Sequence, residues 1–248
     1  MAYYDFLNII FAPLLKLPVA LAVIILAFIV SSIVILITKY TTNQDLMKKL
    51  KDDMKEHQKR VKELKHEPAK AMEAQKKAME INMQYLTHSL KPTLITLIPI
   101  IFIFGWANSH FAYESIKPQQ EFSVTVFFEK NINGNAELIV QDGLEVIGSK
   151  SQKIENSQAA WKLKGEEGEH VLEFVYNSEK RQYNVLISND NKYLAPTKKS
   201  DGAIKLVQIG YKPKKILNLF GLKLSWIWTY IIMSIIFTTV LRKLLKVH

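Results

Sequence analysis

Three stretches of the chain carry no Asp, Glu, Lys or Arg over lengths that matter physically. Leu17 to Ile37 runs for 21 residues, Pro92 to Ala112 for another 21, and Leu224 to Leu241 for 18. Each is long enough for a helix to cross about 30 Å of hydrocarbon. None alternates with a period of two, so the runs predict transmembrane helices rather than barrel strands. Between the first two runs the pattern becomes heptad: Met47, Met54 and Val61 recur every seven residues, and so do Leu50, His57 and Leu64. The spacing predicts a helix over 43–65. Pro68 ends it, because proline disfavours helical geometry in the residue before it. A second helix restarts at Ala69, with Met72, Met79 and Leu86 on one face and Met83 and Leu90 beside them. Two amphipathic helices joined by so short a turn fold back as a coiled-coil hairpin.

Beyond the second apolar run the periodicity changes again. Glu121 to Tyr211 holds seven short runs rich in Val, Ile and aromatics: EFSVTVFFE, AELIVQ, LEVIG, AAWKLKG, HVLEFVYN, YNVLI and AIKLVQIG. Turn residues such as Asn133-Gly134, Asp142-Gly143 and Asn189-Asp190 separate them, which predicts a small antiparallel β-sandwich. The expected fold is therefore an α-helical membrane protein with three transmembrane helices, a cytoplasmic coiled-coil hairpin and an inserted extracytoplasmic all-β domain. Its parts are an outer interfacial helix (1–16), spans at 17–38, 92–112 and 222–241, the hairpin (39–91), the β-domain (113–221) and a basic tail (242–248). For the N-terminal segment two readings stand: an interfacial helix, or an extension of the first span broken by Pro13 and Pro18.

Composition refines this picture in a few places. The mean hydropathy is only +0.02 because the polar segments dilute the spans. The first span has one basic residue before it, Lys16, and no small-residue cleavage site after it, so a retained helix is expected rather than a secretory signal. The absence of cysteine excludes disulfides, thiolate metal sites and cysteine nucleophiles. Charge sets the orientation. Residues 38–91 carry 13 Lys+Arg against 8 acids, and Arg242, Lys243 and Lys246 follow the last span. That bias puts the hairpin and C-terminus in the cytoplasm, and the N-terminus and β-domain outside the cell membrane. The net charge of +10 then reflects topology and acidic headgroups, with no specific nucleic-acid sequence as a partner.

Little in the chain points to bond-making chemistry. Glu129, Asp142 and Glu145 sit where strand surfaces ordinarily carry charge, and no glycine-rich phosphate loop, zinc spacing or serine elbow occurs. His57 reads as a tolerated seam residue. No enzyme activity, cofactor or metal is expected.

The spans offer a different kind of site. Ser31, Ser32 and Thr38 in the first, Thr93 and Thr96 in the second, and Ser234, Thr238 and Thr239 in the third share the cytoplasmic half of the membrane. They suggest a polar groove open to the cytoplasm, although each hydroxyl could also bond back to its own helix. Pro99 removes a helix hydrogen bond from the Ile95 carbonyl, and Thr96 is close enough to help re-satisfy the backbone. Lys39, Lys91 and Arg242 stand at the cytoplasmic mouth, as snorkelling groups or plain topology anchors. Five of the seven methionines, Met47, Met54, Met72, Met79 and Met83, lie in the hairpin. They fill a coiled-coil seam, or they offer an adaptable surface to apolar clients.

The order of a short helix, a span, a charged hairpin and then LKPTLITLIPIIFIFGW resembles the archaeal YidC-like proteins of the Oxa/YidC/Alb insertase superfamily. The resemblance covers about residues 1–110 and the last span. Its most specific parts are Asn43-Gln44-Asp45-Leu46-Met47, Lys91-Pro92, Pro99 and Gly105-Trp106. It implies a three-helix core whose groove passes newly made membrane proteins into lipid, alone or with the ribosome and the Sec channel. The chain departs from that pattern twice: none of its spans has a mid-membrane basic residue, and the β-domain is outside the shared core. Two other classes compete with an insertase. One is a scaffold anchoring the β-domain and docking a cytoplasmic partner. The other is a transport subunit, against which the lack of buried ionisable residues in the spans argues.

Overall fold

A computed structural model describes residues 5–64, 66–219 and 221–247. The chain forms two compact units. One comprises the residues up to Gly105 together with those from Trp226 onwards, and the other is Trp106–Ser225.

In the helical unit, α1 (Asp5–Phe11) runs into a 3-10 turn (Ala12–Lys16) and stops before Pro18, which caps α2 (Val19–Thr41). The N-terminal segment is thus a short helix separated from α2 at Pro13 and Pro18. It hides Leu7, Phe11 and Leu14 and exposes Phe6, Ile9 and Ile10. Its Phe6 ring meets Phe102 edge-on at 6.2 Å.

Three helices are long and apolar enough to cross a membrane: α2, α4 (Pro68–Phe111) and α5 (Trp226–Leu245). α2 packs on α5. Its buried stripe is Ala22, Val23, Leu26, Ala27, Val30, Ser31 and Ile35. The two alanines and the serine let helices approach closely where lipid supplies no hydrophobic drive between them. Phe28 and Phe237 meet edge-to-face at 5.4 Å across this contact.

Between α2 and α4 lies α3 (Gln44–Glu63). Asn43 caps it, its side-chain oxygen accepting the Leu46 N–H at 3.1 Å, with Asp45 in the first turn complementing the helix dipole. The Asn43–Met47 motif is therefore a helix start as local chemistry. α4 is a single helix of 44 residues, about 66 Å at 1.5 Å per residue. It passes through Pro92 and Pro99 without ending, so the expected boundary at 91/92 between hairpin and span is no break in the backbone. Near these prolines side chains take up carbonyls: Thr93 Oγ1 donates to Ser89 O at 2.8 Å and Thr96 Oγ1 to Thr93 O at 3.0 Å. Thr96 therefore serves the Thr93 carbonyl and not the Ile95 carbonyl that Pro99 leaves without its donor.

The second unit is a β-sandwich. Its seven expected runs form β1 (Phe122–Phe128), β2 (Asn135–Val140), β3 (Leu144–Ile147), β5 (Gln158–Gly165), β6 (Gly168–Tyr176), β7 (Glu179–Ile187) and β9 (Ile204–Ile209). Four further strands join them: β4 (Ser151–Lys153), β8 (Thr197–Lys199), β10 (Lys215–Leu219) and β11 (Leu222–Ser225). One sheet has the order β3-β5-β1-β9-β8, the other β4-β2-β6-β7, and β10-β11 stand apart as a two-stranded ribbon. Strict alternation builds the core, as in β1, where Phe122, Val124, Val126 and Phe128 are buried. Trp161 of the first sheet lies 5.5 Å from Phe174 of the second, and its indole N–H donates to Lys150 O at 2.9 Å. Asp142-Gly143 makes a turn and the chain bends at Gly134, each glycine at a positive φ.

The third span begins later than expected, at Trp226, because Leu222–Ser225 pairs as a strand. The last turn of α4 belongs to the β unit. There the Tyr193 hydroxyl donates to Asn108 O and accepts the Ala112 N–H at 2.9 Å, closing the helix end. Tyr113, Tyr193 and Tyr211 cluster with ring centroids 5.5–6.0 Å apart. Burial pushes the phenols of Tyr193 and Tyr211 up to about 12.

Candidate functional site

The methionines of the arm divide into two sets. On α3, Met47 and Leu50 are buried and Met54, His57, Val61 and Leu64 half-buried, so the heptad stripe faces inward. On α4 the inward stripe is not the methionine face. It is Ala71, Ala74, Ala78, Ile81 and Tyr85, at the same alternation of three and four. Met72, Met79 and Met83 stand out at 65–70% exposure, followed by Leu86 and Leu90. This outer face continues along the same helix into Leu94, Leu97, Ile98 and Ile101, all exposed. From Met79 onward one apolar stripe thus runs from the polar arm into the span, with Gln75 and Lys76 standing between it and Met72. The rest of the arm's surface is charged and carries ion pairs one turn apart, such as Glu56–Arg60 at 2.7 Å and Glu73–Lys77 at 3.3 Å.

The groove hydroxyls are only partly brought together. Ser31, on α2, is buried, and its Oγ lies 3.5 Å from Thr238 Oγ1 on α5, the long limit of a hydrogen bond. Thr96 is buried on α4. Ser32, Thr38, Thr93 and Ser234 each donate to a carbonyl of their own helix, at 2.8–3.0 Å. Those four are satisfied locally, as hydroxyls in membrane helices commonly are. Thr229 of α5 is fully buried. It escapes a sequence reading confined to the cytoplasmic half.

A cavity of about 270 Å³ opens where α2 turns into α3 and meets α4. Thr41, Thr42, Asn43, Met47, His88 and Lys91 are among its lining. Of the three basic residues expected at the mouth, Lys91 therefore lines a cavity, while Lys39 is half-buried and Arg242 exposed. The polar Thr41-Thr42-Asn43 run before a charged helix is the sequence feature that could have pointed to this cavity.

The β unit holds a second cavity, about 330 Å³, between β7 and β8. Its charges are spent on each other: Lys180–Glu173 and Arg181–Glu179 pair at 3.1 Å, and Lys198 Nζ donates to Gln182 O at 3.3 Å. Hydrogen bonds from Gln182 and Lys180 hold the Glu173 carboxyl below its usual range. Inward-reaching lysines of this kind shield strand edges from pairing with other chains. Glu145 and Glu129 are paired in the same way, with Lys164 at 3.0 Å and Lys205 at 3.6 Å. Among the described residues no group of three or more His, Cys, Asp or Glu is placed to hold a metal ion.

Residues 8–135 match the family of integral membrane proteins described as EMC3/TMCO1-like. The match takes in α2, α3, α4 and β1, and leaves most of the β-sandwich and α5 outside it. No curated protein and no solved structure matches the chain. The expected membership of the Oxa/YidC/Alb superfamily is corrected by this match, since the family is a different one, though it too is concerned with membrane insertion. The features that suggested it, a span, a charged helical arm and a proline-bearing span, are thus shared between families and do not discriminate them. Matched over more than half its length, the chain belongs to the EMC3/TMCO1-like family of multi-pass integral membrane proteins, a family linked to insertion or membrane organisation.

Proposed function

We propose that this protein assists the insertion of membrane segments, binding them along the exposed face of α4. The observation that carries the proposal is the apolar stripe from Met79 to Ile101, preceded by Met72, on one helix that is polar-flanked at one end and lipid-compatible at the other. Methionine suits this task because an unbranched, polarizable side chain adapts to many apolar partners. In this reading α3 and the Ala71–Tyr85 face of α4 form a coiled-coil hairpin that holds the stripe rigid, and Met47 and Met54 serve that seam.

The arm and C-terminus lie in the cytoplasm, as the basic bias of 38–91 and 242–247 supports. Clients are newly made membrane proteins, delivered with or without a ribosome or a translocation channel. No bond is made or broken. The buried hydroxyls of Ser31 and Thr96 and the half-buried one of Thr238 ease the passage of polar client flanks, which in hydrocarbon would lose about 2–7 kcal/mol per unpaired group.

An insertion assay in reconstituted vesicles tests this. Met72→Glu, Met79→Glu and Met83→Glu together should abolish insertion of a single-span client while the protein stays folded and membrane-bound. Unimpaired insertion would contradict the proposal and favour a scaffold that merely anchors the β-sandwich.

A further inference from the structure

The β10–β11 ribbon belongs to neither sheet of the sandwich. An isolated two-stranded hairpin is at best marginally stable in water and needs a further surface against its apolar face. Its register supplies such a face: Leu217 opposes Leu224, and Leu219 opposes Leu222, so all four leucines point the same way. Asn218 and Lys223 oppose each other on the other side. Leu222 is 67% exposed and Leu219 39%. Leu217 and Leu224 are half-buried, and Leu222 is the most exposed large apolar side chain among the unit's described residues, ahead of Ile139, so the leucine face calls for an occupant.

Chain connectivity identifies it. At the base of the ribbon, the Lys214 N–H donates to Ala112 O and the Glu114 N–H to Lys212 O, at 2.9 Å each. Ala112 is the last residue of the apolar run that makes the second span. At the same base Ser225, paired with Lys215, passes directly into Trp226, the first residue of α5, with no linker between them. Both strands of the ribbon are therefore tied, at its base, to the ends of apolar helices long enough to cross a membrane. With about 3.4 Å per residue in a strand, no residue of β11 is more than about 14 Å of chain from the start of α5.

We propose that the β10–β11 ribbon lies in the membrane interface, with Leu217, Leu219, Leu222 and Leu224 facing the acyl chains and Lys223 facing the headgroups. The lipid surface is the third layer that the ribbon lacks, just as an amphipathic helix uses it. The ribbon thereby anchors the β-sandwich to the bilayer at a second point besides the spans.

The chain contains no cysteine, so single substitutions report one position each. The full chain carrying Leu219→Cys, Leu222→Cys, Asn218→Cys or Lys223→Cys is labelled with a small fluorophore in vesicles of phosphatidylcholine and phosphatidylglycerol. Labels at 219 and 222 should be quenched several-fold more by nitroxide on lipid acyl chains than labels at 218 and 223, and the order should reverse with a water-soluble nitroxide. Equal quenching at all four positions would overturn the proposal. So would shielding of 219 and 222 from both quenchers, which would show protein and not lipid covering the leucines. The unmodified chain provides an independent check through photoreactive acyl chains, whose adducts should map to the peptide spanning 215–225. Absence of adducts there, with adducts present on α2 and α5, would likewise overturn it.

Discussion

The two units solve the same problem with opposite surfaces. The sandwich turns Trp161, Phe174, Leu163 and Ile204 inward until almost nothing of them is exposed. The helical unit leaves Leu94, Ile98, Ile101 and Ile235 more than half exposed. For a chain whose helices lie in lipid, that exposure is ordinary solvation, because the bilayer is itself the apolar solvent. The informative region is the one that fits neither rule. Met72, Met79 and Met83 are as exposed as the lipid-facing residues, yet they sit on an arm otherwise covered in Lys and Glu. A surface apolar without either a core or a bilayer to cover it marks an interaction site.

The contrast can be broken most forcefully from the β side. Trp161→Ala should cost about 3–5 kcal/mol, a large part of the stability of a domain this size. Protease should then digest 122–225 while the spans stay membrane-embedded. If the spans were lost as well, the two units would not be independent. Tyr193→Phe removes the hydroxyl shared by Asn108 O and the Ala112 N–H, and should cost about 1–3 kcal/mol by leaving buried backbone unpaired. Faster hydrogen exchange at Ala112 would report it.

A milder effect is expected from alkali. The phenols of Tyr193 and Tyr211 ionise near 12 when folded but near 10 when unfolded. Their contribution is therefore complete below about pH 10 and declines as pH rises from there towards 12. Thermal melts followed by β-sheet circular dichroism should fall across that window and stay flat from pH 7 to 9. The smallest stability effect belongs to the outer stripe: Met79→Ser should change stability by no more than about 0.5 kcal/mol, as exposed substitutions do. Met47→Ser, which empties a buried seam position, should loosen the arm measurably.

The sequence made some of this architecture legible and hid the rest for identifiable reasons. Long charge-free runs exposed the three spans, and Val, Ile and aromatic clustering exposed seven strands. Ser151–Lys153 and Thr197–Lys199 escaped because they are short, polar edge strands with almost no buried face. Leu222–Ser225 escaped because its leucines merge with the apolar run of the third span. The arm misled in a more instructive way. Methionines at heptad spacing look like a seam, but on α4 the less exposed positions are Ala71, Ala74 and Ala78, whose small side chains give little hydrophobic signal. The groove hydroxyls were visible as a set, yet sequence could not show that Ser32, Thr38, Thr93 and Ser234 would turn back on their own helices.

The claim at the centre of this account is that α4 presents its outer methionine face to clients while the seam methionines stay inside. Photocrosslinking tests it directly, with a photoreactive residue placed in turn at Met72, Met79, Met83, Met47 and Met54 and a radiolabelled membrane segment emerging from a stalled ribosome. Strong adducts from 72, 79 and 83, with weak ones from 47 and 54, are the predicted result. Equal adducts from both sets, or adducts from the seam positions alone, would contradict it.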